Sequence, residues 1–310
     1  MNTYTPEQFS HKPTNYKVSD VKRAVETGEI LEGVVTKCDN NMNVQVNICP
    51  NVTGIISADD FAFNPDGKPL KSVAVLSKVG KVVKFKVTGV DRLKTGMYVT
   101  NLSRRLAQEE CYNNYISKLQ PGQVIDARVT YLENYGAFCD IGCGFTALLP
   151  IENICIPRIN DPKHDLAKMR NIKAVVKSID DSGRITLTHK ELLGTWEEEA
   201  SKFSVGDTVV GIVRIKESYG IFVEISQNLV GLADIYPDVE CGDEVAVYIK
   251  AIVPEKMKVK LLIINKNDKL NKAIHYDYRI PESGFVYDWV YSPESSDRRF
   301  ETHIPRPDSN

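Results

Sequence analysis

No stretch of this 310-residue chain approaches the roughly 18 consecutive apolar residues that a membrane-spanning helix requires, and no charged-then-apolar leader opens it. A cytoplasmic protein without a membrane partner is therefore expected. Net charge is also scarce. Against 39 basic side chains stand 41 acidic ones, a formal balance of -2, slightly positive over 28–105 and 117–190 and slightly negative over 201–264. A binder of duplex nucleic acid normally carries a strong basic stripe, because phosphate neutralisation supplies its affinity. That stripe is missing. Histidine is sparse, and His11, His164, His189, His275 and His303 are scattered, so each reads as a surface or structural residue rather than a catalytic base. Gly142-Cys143-Gly144 is too short for a dinucleotide-binding loop, and no nucleophile lies beside a base, so neither catalysis nor a cofactor is expected.

Cysteine is present without a framework. Seven residues, Cys38, Cys49, Cys111, Cys139, Cys143, Cys155 and Cys241, are an odd number at uneven spacing, which points to thiols in a reducing compartment. Cys139 and Cys143 are the nearest approach to a metal pair. Their closest further candidates, Cys155 and His164, fall on loop or short helix with no second close pair, so no metal is expected. Cys139 alternates with Phe138 and should face a core.

What the chain does contain is a passage that occurs twice: Tyr135-Gly136-Ala137-Phe138 followed by Asp140-Ile141, and Tyr219-Gly220-Ile221-Phe222 followed by Glu224-Ile225. In each copy the tyrosine lies eight residues, and the phenylalanine eleven, beyond a small residue that opens a strand-like run, Ala127 or Gly211. Such a step interrupts alternation with a glycine and then sets two rings on one surface, where they can stack unpaired bases. An earlier unit starting at Gly33 has the same outline but carries Asn41 and Val44 at the ring positions, so it should fold alike and bind single strands less well.

Short alternating runs at 123–132, 136–142, 145–149, 171–179 and 184–188, and again at 208–216, 220–226, 229–233, 244–252 and 258–264, predict two five-stranded barrels of the OB type. Pro157, Asp161 and Pro162 mark an irregular connection within the first set. The expected fold class is mostly β, with three tandem OB-fold five-stranded barrels joined by short helical linkers. The divisions are a mobile segment 1–27, barrels at 28–105, 120–190 and 205–265, linkers at 106–119 and 191–204, and an aromatic-rich extension 266–310. A short helix is possible over 21–26, before Gly28. Apolar spacing predicts helices over 104–118 and 190–203, with Trp196 packed on a neighbouring barrel.

The stretch Gly-Ile-Val-Arg-Ile-Lys-Glu-Ser-Tyr-Gly-Ile-Phe-Val-Glu-Ile (211–225), preceded by Thr-His-Lys-Glu-Leu-Leu-Gly-Thr-Trp-Glu-Glu (188–198), resembles the tandem RNA-binding repeats of the bacterial ribosomal protein S1 family, here in a short three-repeat form. Ser103-Arg104-Arg105-Leu106-Ala107 also fits that family's junction between repeats. The resemblance implies binding of single-stranded mRNA and association with the small ribosomal subunit, without catalysis. An RNA-binding regulator acting off the ribosome and an OB-fold protein-binding adaptor are the alternatives. Carried over position by position, it implies an RNA face of Tyr135, Phe138, Arg128 and Arg184 in the second repeat and of Tyr219, Phe222, Arg214 and Lys258 in the third. The polar position on the third strand has become Pro150 or Asp234. An acid–base pair near the last hairpin persists in the second repeat as Asp180 or Asp181 with Arg184, while the third has Pro254 and Lys258. The second repeat is thus the first choice for RNA contact, and the first repeat is the one most remodelled for another partner. The extension, with Tyr276, Tyr278, Phe285, Tyr287, Trp289 and Tyr291, is too aromatic for a plain disordered tail. Packing on the last barrel is expected, docking on a ribosomal partner being the alternative.

Overall fold

Alternating side chains, one row inward and one outward, let a short sheet roll up on its apolar face, and three such sheets form here. The computed structural model describes residues 4–9, 16–65, 72–159, 162, 166, 170–267 and 276–306. The first barrel consists of β1 (Ile30–Cys38), β2 (Val44–Cys49), β3 (Val52–Ile56), β4 (Val82–Arg92) and β5 (Tyr98–Ser103). The second consists of β6 (Val124–Glu133), β7 (Gly136–Gly142), β8 (Phe145–Pro150), β9 (Asn171–Ile179) and β10 (Ile185–Thr188). The third consists of β11 (Thr208–Glu217), β12 (Gly220–Ser226), β13 (Leu229–Ala233), β14 (Glu244–Val253) and β15 (Lys258–Lys266). All three close in one order: the first strand neighbours the second and fourth, and the third neighbours the fifth. The third–fifth pairing is parallel in each barrel. The expected fold class is observed.

By contacts the chain divides into two compact units. One is Met1–Leu119 with Asp140–Thr146, and the other is Gln120–Cys139 with Ala147–Asn310. In the first unit α1 (Val18–Thr27) buries Val21 and Ala24 in the core of the first barrel, beside Leu31, Val35, Val44 and Phe85. Gly28, at φ 68°, ends the helix in the left-handed conformation that only glycine adopts without strain. α2 (Ser72–Leu76) buries Val75, and α3 (Arg104–Asn114) starts at Ser103, whose hydroxyl accepts from Leu106 N (3.1 Å).

Two expectations need correction. The segment 1–27, read as mobile because of its polarity, holds Glu7 only 6% exposed, between Lys78 (2.6 Å) and Arg104 (2.9 Å), while α1 contains the short helix expected over 21–26. A lone carboxylate in a polar stretch gives no hint of a buried arginine and a half-buried lysine far along the chain. Residues 1–3 and 10–15, including His11, lie outside the described residues, as do His164 and His275. The helix read over 190–203 is instead a single 3-10 turn (Lys190–Leu192) followed by α4 (Trp196–Ala200). Its apolar spacing is real, since Leu192, Leu193, Trp196 and Ala200 are all buried. Gly194, at φ 86°, splits it, and Thr195 with Glu198 restarts it through a capping box.

In the second unit the third barrel is filled by inward-facing Val213, Ile221, Val223, Val245, Val247 and Leu261, with Trp196 and Tyr291 packed among them. The extension is ordered over 276–306 and includes a two-stranded ladder, β16 (Asp288–Val290) with β17 (Glu301–His303). It bonds to both barrels of this unit. Val124 N donates to Gly284 O (2.9 Å), Val286 N to Gly122 O (2.7 Å), and Trp196 N to Tyr291 O (3.0 Å).

Candidate nucleic-acid interface

The duplicated passage produces duplicated geometry. Tyr135 and Phe138 have ring centroids 6.2 Å apart and planes at 90°, and Tyr219 and Phe222 have 6.2 Å and 89°. The tyrosine closes the turn between the first two strands and the phenylalanine stands three residues on. The tyrosine rings are 54% and 65% exposed, and the phenylalanines are half-buried. An exposed face beside a supporting edge is what a base needs in order to stack. The glycine between the rings allows the chain to close. A Cβ on Gly136 or Gly220 would come within 3.0 Å of the backbone oxygen of Leu149 or Ala233 on the facing strand.

The cations named from the sequence fall into two classes. Arg184 is exposed, at the tip of the β9–β10 hairpin, where Asp180 takes it at 2.8 Å and also accepts from the amides of Ser182 and Arg184. Of the two acids considered, Asp180 is thus the partner. Hydrogen bonds from Ser182 and Arg184 hold its carboxyl down at about 2. Lys258 is exposed at the start of β15. Arg128 and Arg214 are only 3% and 8% exposed. Arg128 donates to Asn171 (2.5 Å). Arg214 is the extra residue of a bulge between β11 and β12, and its guanidinium pairs with the Glu224 carboxylate two residues beyond Phe222. At the altered polar position of the third strand, Asp234 is exposed and paired with Lys250 (3.1 Å).

The ring positions of the first barrel differ in kind. Val44 is fully buried in the core, and Asn41 belongs to a turn in which Asp39 accepts from the amides of Asn41 and Asn43. No ring stands at either position.

The acid that follows each ring pair is used differently in the two copies. Glu224 pairs with Arg214. Asp140 is 3% exposed and accepts from the amides of Glu7 (2.8 Å), Gly142 (2.8 Å) and Gly144 (3.0 Å). Burial, and then the nearby Glu7 carboxylate, push Asp140 up to about 6. Burial would raise Glu7 as well, but the charges of Arg104 and Lys78 outweigh it and hold Glu7 at about 2. His189, assigned no catalytic role from sequence, is fully buried. Its Nδ1 faces Ile154 O (2.9 Å) and its Nε2 faces the Tyr278 hydroxyl (3.2 Å), and burial pushes it down to about 4. Cys139 is fully buried, as its alternation implied. Among the described residues no group of His, Cys, Asp or Glu is placed to hold a metal, and no helix is long and apolar enough to cross a membrane.

Sequence reasoning missed the surroundings of the third ring pair. A cavity of about 300 Å³ opens there, walled by Tyr219 and Phe222 and also by Arg158, Lys256, Met257, Arg298 and Phe300. The Arg-Arg-Phe run at 298–300 was the only signal in the sequence, and nothing local tied it to a ring pair nearly 80 residues upstream.

The family model described as S1 RNA binding domain matches residues 24–100 and 118–190, the first and second barrels. These two stretches belong to the S1 RNA-binding domain family. The third barrel lies outside the matched residues but repeats their strand order. Among curated relatives, the small ribosomal subunit protein bS1 of Staphylococcus saprophyticus is 28% identical over 223 residues, covering 69% of this chain and 56% of the relative. That of Neisseria meningitidis serogroup B is 28% identical over 262 residues, covering 78% and 44%. The bS1 homolog of Bacillus subtilis is 30% identical over 197 residues, covering 61% and 50%. The chain spans about half the length of these relatives.

Proposed function

We propose that this protein binds single-stranded RNA, mRNA in particular, during translation in the cytoplasm and associates with the small ribosomal subunit. The observation that carries the reading is the pair of perpendicular ring sets, alike to within a degree on two barrels of the same strand order. Stacking contributes about 1–3 kcal/mol per base and tolerates any sequence, so the near-neutral charge of the chain is compatible with binding. The ribosomal names of the relatives support the partner. The reading contains no catalytic step.

Within it, the repeats at 28–105, 120–190 and 205–265 act as domains with unequal tasks. Tyr135 and Phe138, with exposed Arg184, form the first RNA platform, and Tyr219 and Phe222, with Lys258, the second. The first repeat, with no ring at either position, serves a ribosomal protein contact, and specific protein contacts rather than attraction to rRNA hold the complex.

Fluorescence anisotropy with a labelled unstructured RNA tests the platform. Micromolar or tighter binding, weaker binding to duplex, and loss in a folded variant with all four rings changed to alanine are expected, and an unchanged affinity in that variant sinks the reading. Sedimentation of a cell extract tests the partner. Co-migration with small-subunit particles that high salt reduces is expected. Protein found only at the top of the gradient at low and high salt would move the assignment to a regulator acting off the ribosome.

A further inference from the structure

The cavity beside Tyr219 and Phe222 is more than an open stacking face, because three segments from elsewhere in the unit build walls around it. The β8–β9 connection brings Arg158, the β14–β15 turn brings Lys256 and Met257, and the extension brings Arg298 and Phe300. Phe300 packs edge-on to buried Tyr291, 6.4 Å between centroids, and Phe300 N donates to the Ser292 hydroxyl (2.7 Å). Tyr291 is fixed in turn, its hydroxyl donating to Asn228 O (2.5 Å). The aromatic wall is therefore anchored to the core of the third barrel.

The charges of this cavity point to its occupant. Arg214 is neutralised by Glu224, but Arg158, Lys256 and Arg298 are exposed and have no carboxylate partner among the described residues. Glu217 is the single acid among the lining residues, so the rim is positive on balance. Aromatic faces below a cationic rim suit a planar π system that bears an anion. A volume of about 300 Å³ lies at the small end of ligand pockets, with room for one such group.

We propose that this cavity is a nucleotide pocket, in which a base stacks on the aromatic wall of Tyr219, Phe222 and Phe300 while its phosphate is held by Arg298, Lys256 and Arg158. The chemistry is that of a nucleoside 5′-phosphate, whether one unit of a bound strand or a free nucleotide. Only the choice of the strand as source rests on the RNA-binding function proposed above.

The test uses the full chain and isothermal titration with the four nucleoside 5′-monophosphates and their parent nucleosides. Wild type is expected to bind the monophosphates at least about fivefold more tightly than the nucleosides, and the surface changes Arg298→Ala and Lys256→Ala together to remove that difference. Phe300→Ala, at a ring already 42% exposed, is expected to weaken both ligand classes without unfolding the chain. A short single-stranded RNA should displace the monophosphate. Displacement supports the strand as source, and monophosphate binding that RNA does not displace supports a free nucleotide. If wild type binds RNA but no monophosphate, or if the variants bind monophosphates as wild type does, the pocket proposal is overturned while RNA binding stands. If monophosphates bind and RNA does not, the pocket stands and the RNA-binding function fails.

Discussion

The second and third barrels display the same two rings at the same separation, yet the acid two residues further on has been given opposite work. In the third barrel Glu224 stays with Arg214 in an ion pair. In the second, Asp140 is drawn away to the amides of Glu7, Gly142 and Gly144, beside the Glu7 carboxylate that buried Arg104 and half-buried Lys78 hold. A tandem repeat can thus keep its ligand geometry while the residue behind it is recruited to unrelated structure. Backbone turn and ring spacing decide the display, and the acid is left to vary.

The largest effect that would test this contrast is on stability. Glu7→Ala should cost about 3–5 kcal/mol, because it leaves Arg104, 4% exposed, without its carboxylate. Glu224→Ala should cost less, since that carboxylate is 17% exposed and its loss lets water reach Arg214. Urea unfolding of both variants gives the comparison. Equal losses would show that the two acids are equally structural.

Acid should then act on the two units in opposite directions. His189 sits at about 4 against an ordinary value near 6.5, so the unfolded chain takes up its proton first. The stability this neutral imidazole contributes is complete above about 6.5 and declines as pH falls toward 4, by up to about 3 kcal/mol. Asp140 sits at about 6 against an ordinary 3.8, so over the same window the folded state takes up its proton first, and acidification relieves its repulsion with Glu7. Glu7, held low, loses its contribution only as pH falls below the ordinary carboxylate range. Hydrogen exchange at pH 6.5 and pH 4.5 should show protection falling around Tyr278 and Val286 and not around Glu7. A parallel loss in both places would contradict the assignment.

The smallest contrast concerns the rings themselves. Tyr135→Ala with Phe138→Ala should weaken RNA binding by about 1–3 kcal/mol per base released, and Tyr219→Ala with Phe222→Ala by less, since Arg158, Lys256 and Arg298 remain to hold phosphate. Anisotropy titrations of the two double variants rank them, and the reverse order would make the third barrel the principal platform.

The barrels were legible because their information is local. Alternation of two and a repeated Tyr-Gly-x-Phe step place each strand to within a residue or two of β6–β15, and burial then follows from parity. Helical spacing was legible over α3 and misleading over 190–203, because the same apolar residues are buried whether or not Gly194 interrupts the helix. Contacts distant along the chain could not be read. Glu7 with Arg104, and Phe300 with the wall of the third barrel, are joined only by tertiary structure. Likewise the arginines that look like phosphate ligands in sequence, Arg128 and Arg214, are buried by a strand and a bulge whose register the sequence does not display.

The antiparallel bridge between Gln123 and Phe285, flanked by bonds from Val124 to Gly284 and from Val286 to Gly122, has a consequence for the order in which the protein matures on the ribosome that makes it. All five strands of the second barrel have been synthesised once Thr188 is made, and the barrel can close as they emerge. One margin of β6 nevertheless waits for a segment synthesised some hundred residues later. Until then it offers unpaired amides and carbonyls, the kind of strand edge that invites mispairing in a nascent chain. Completion therefore runs backward, the late-made extension pairing the start of β6 that the closed barrel leaves free.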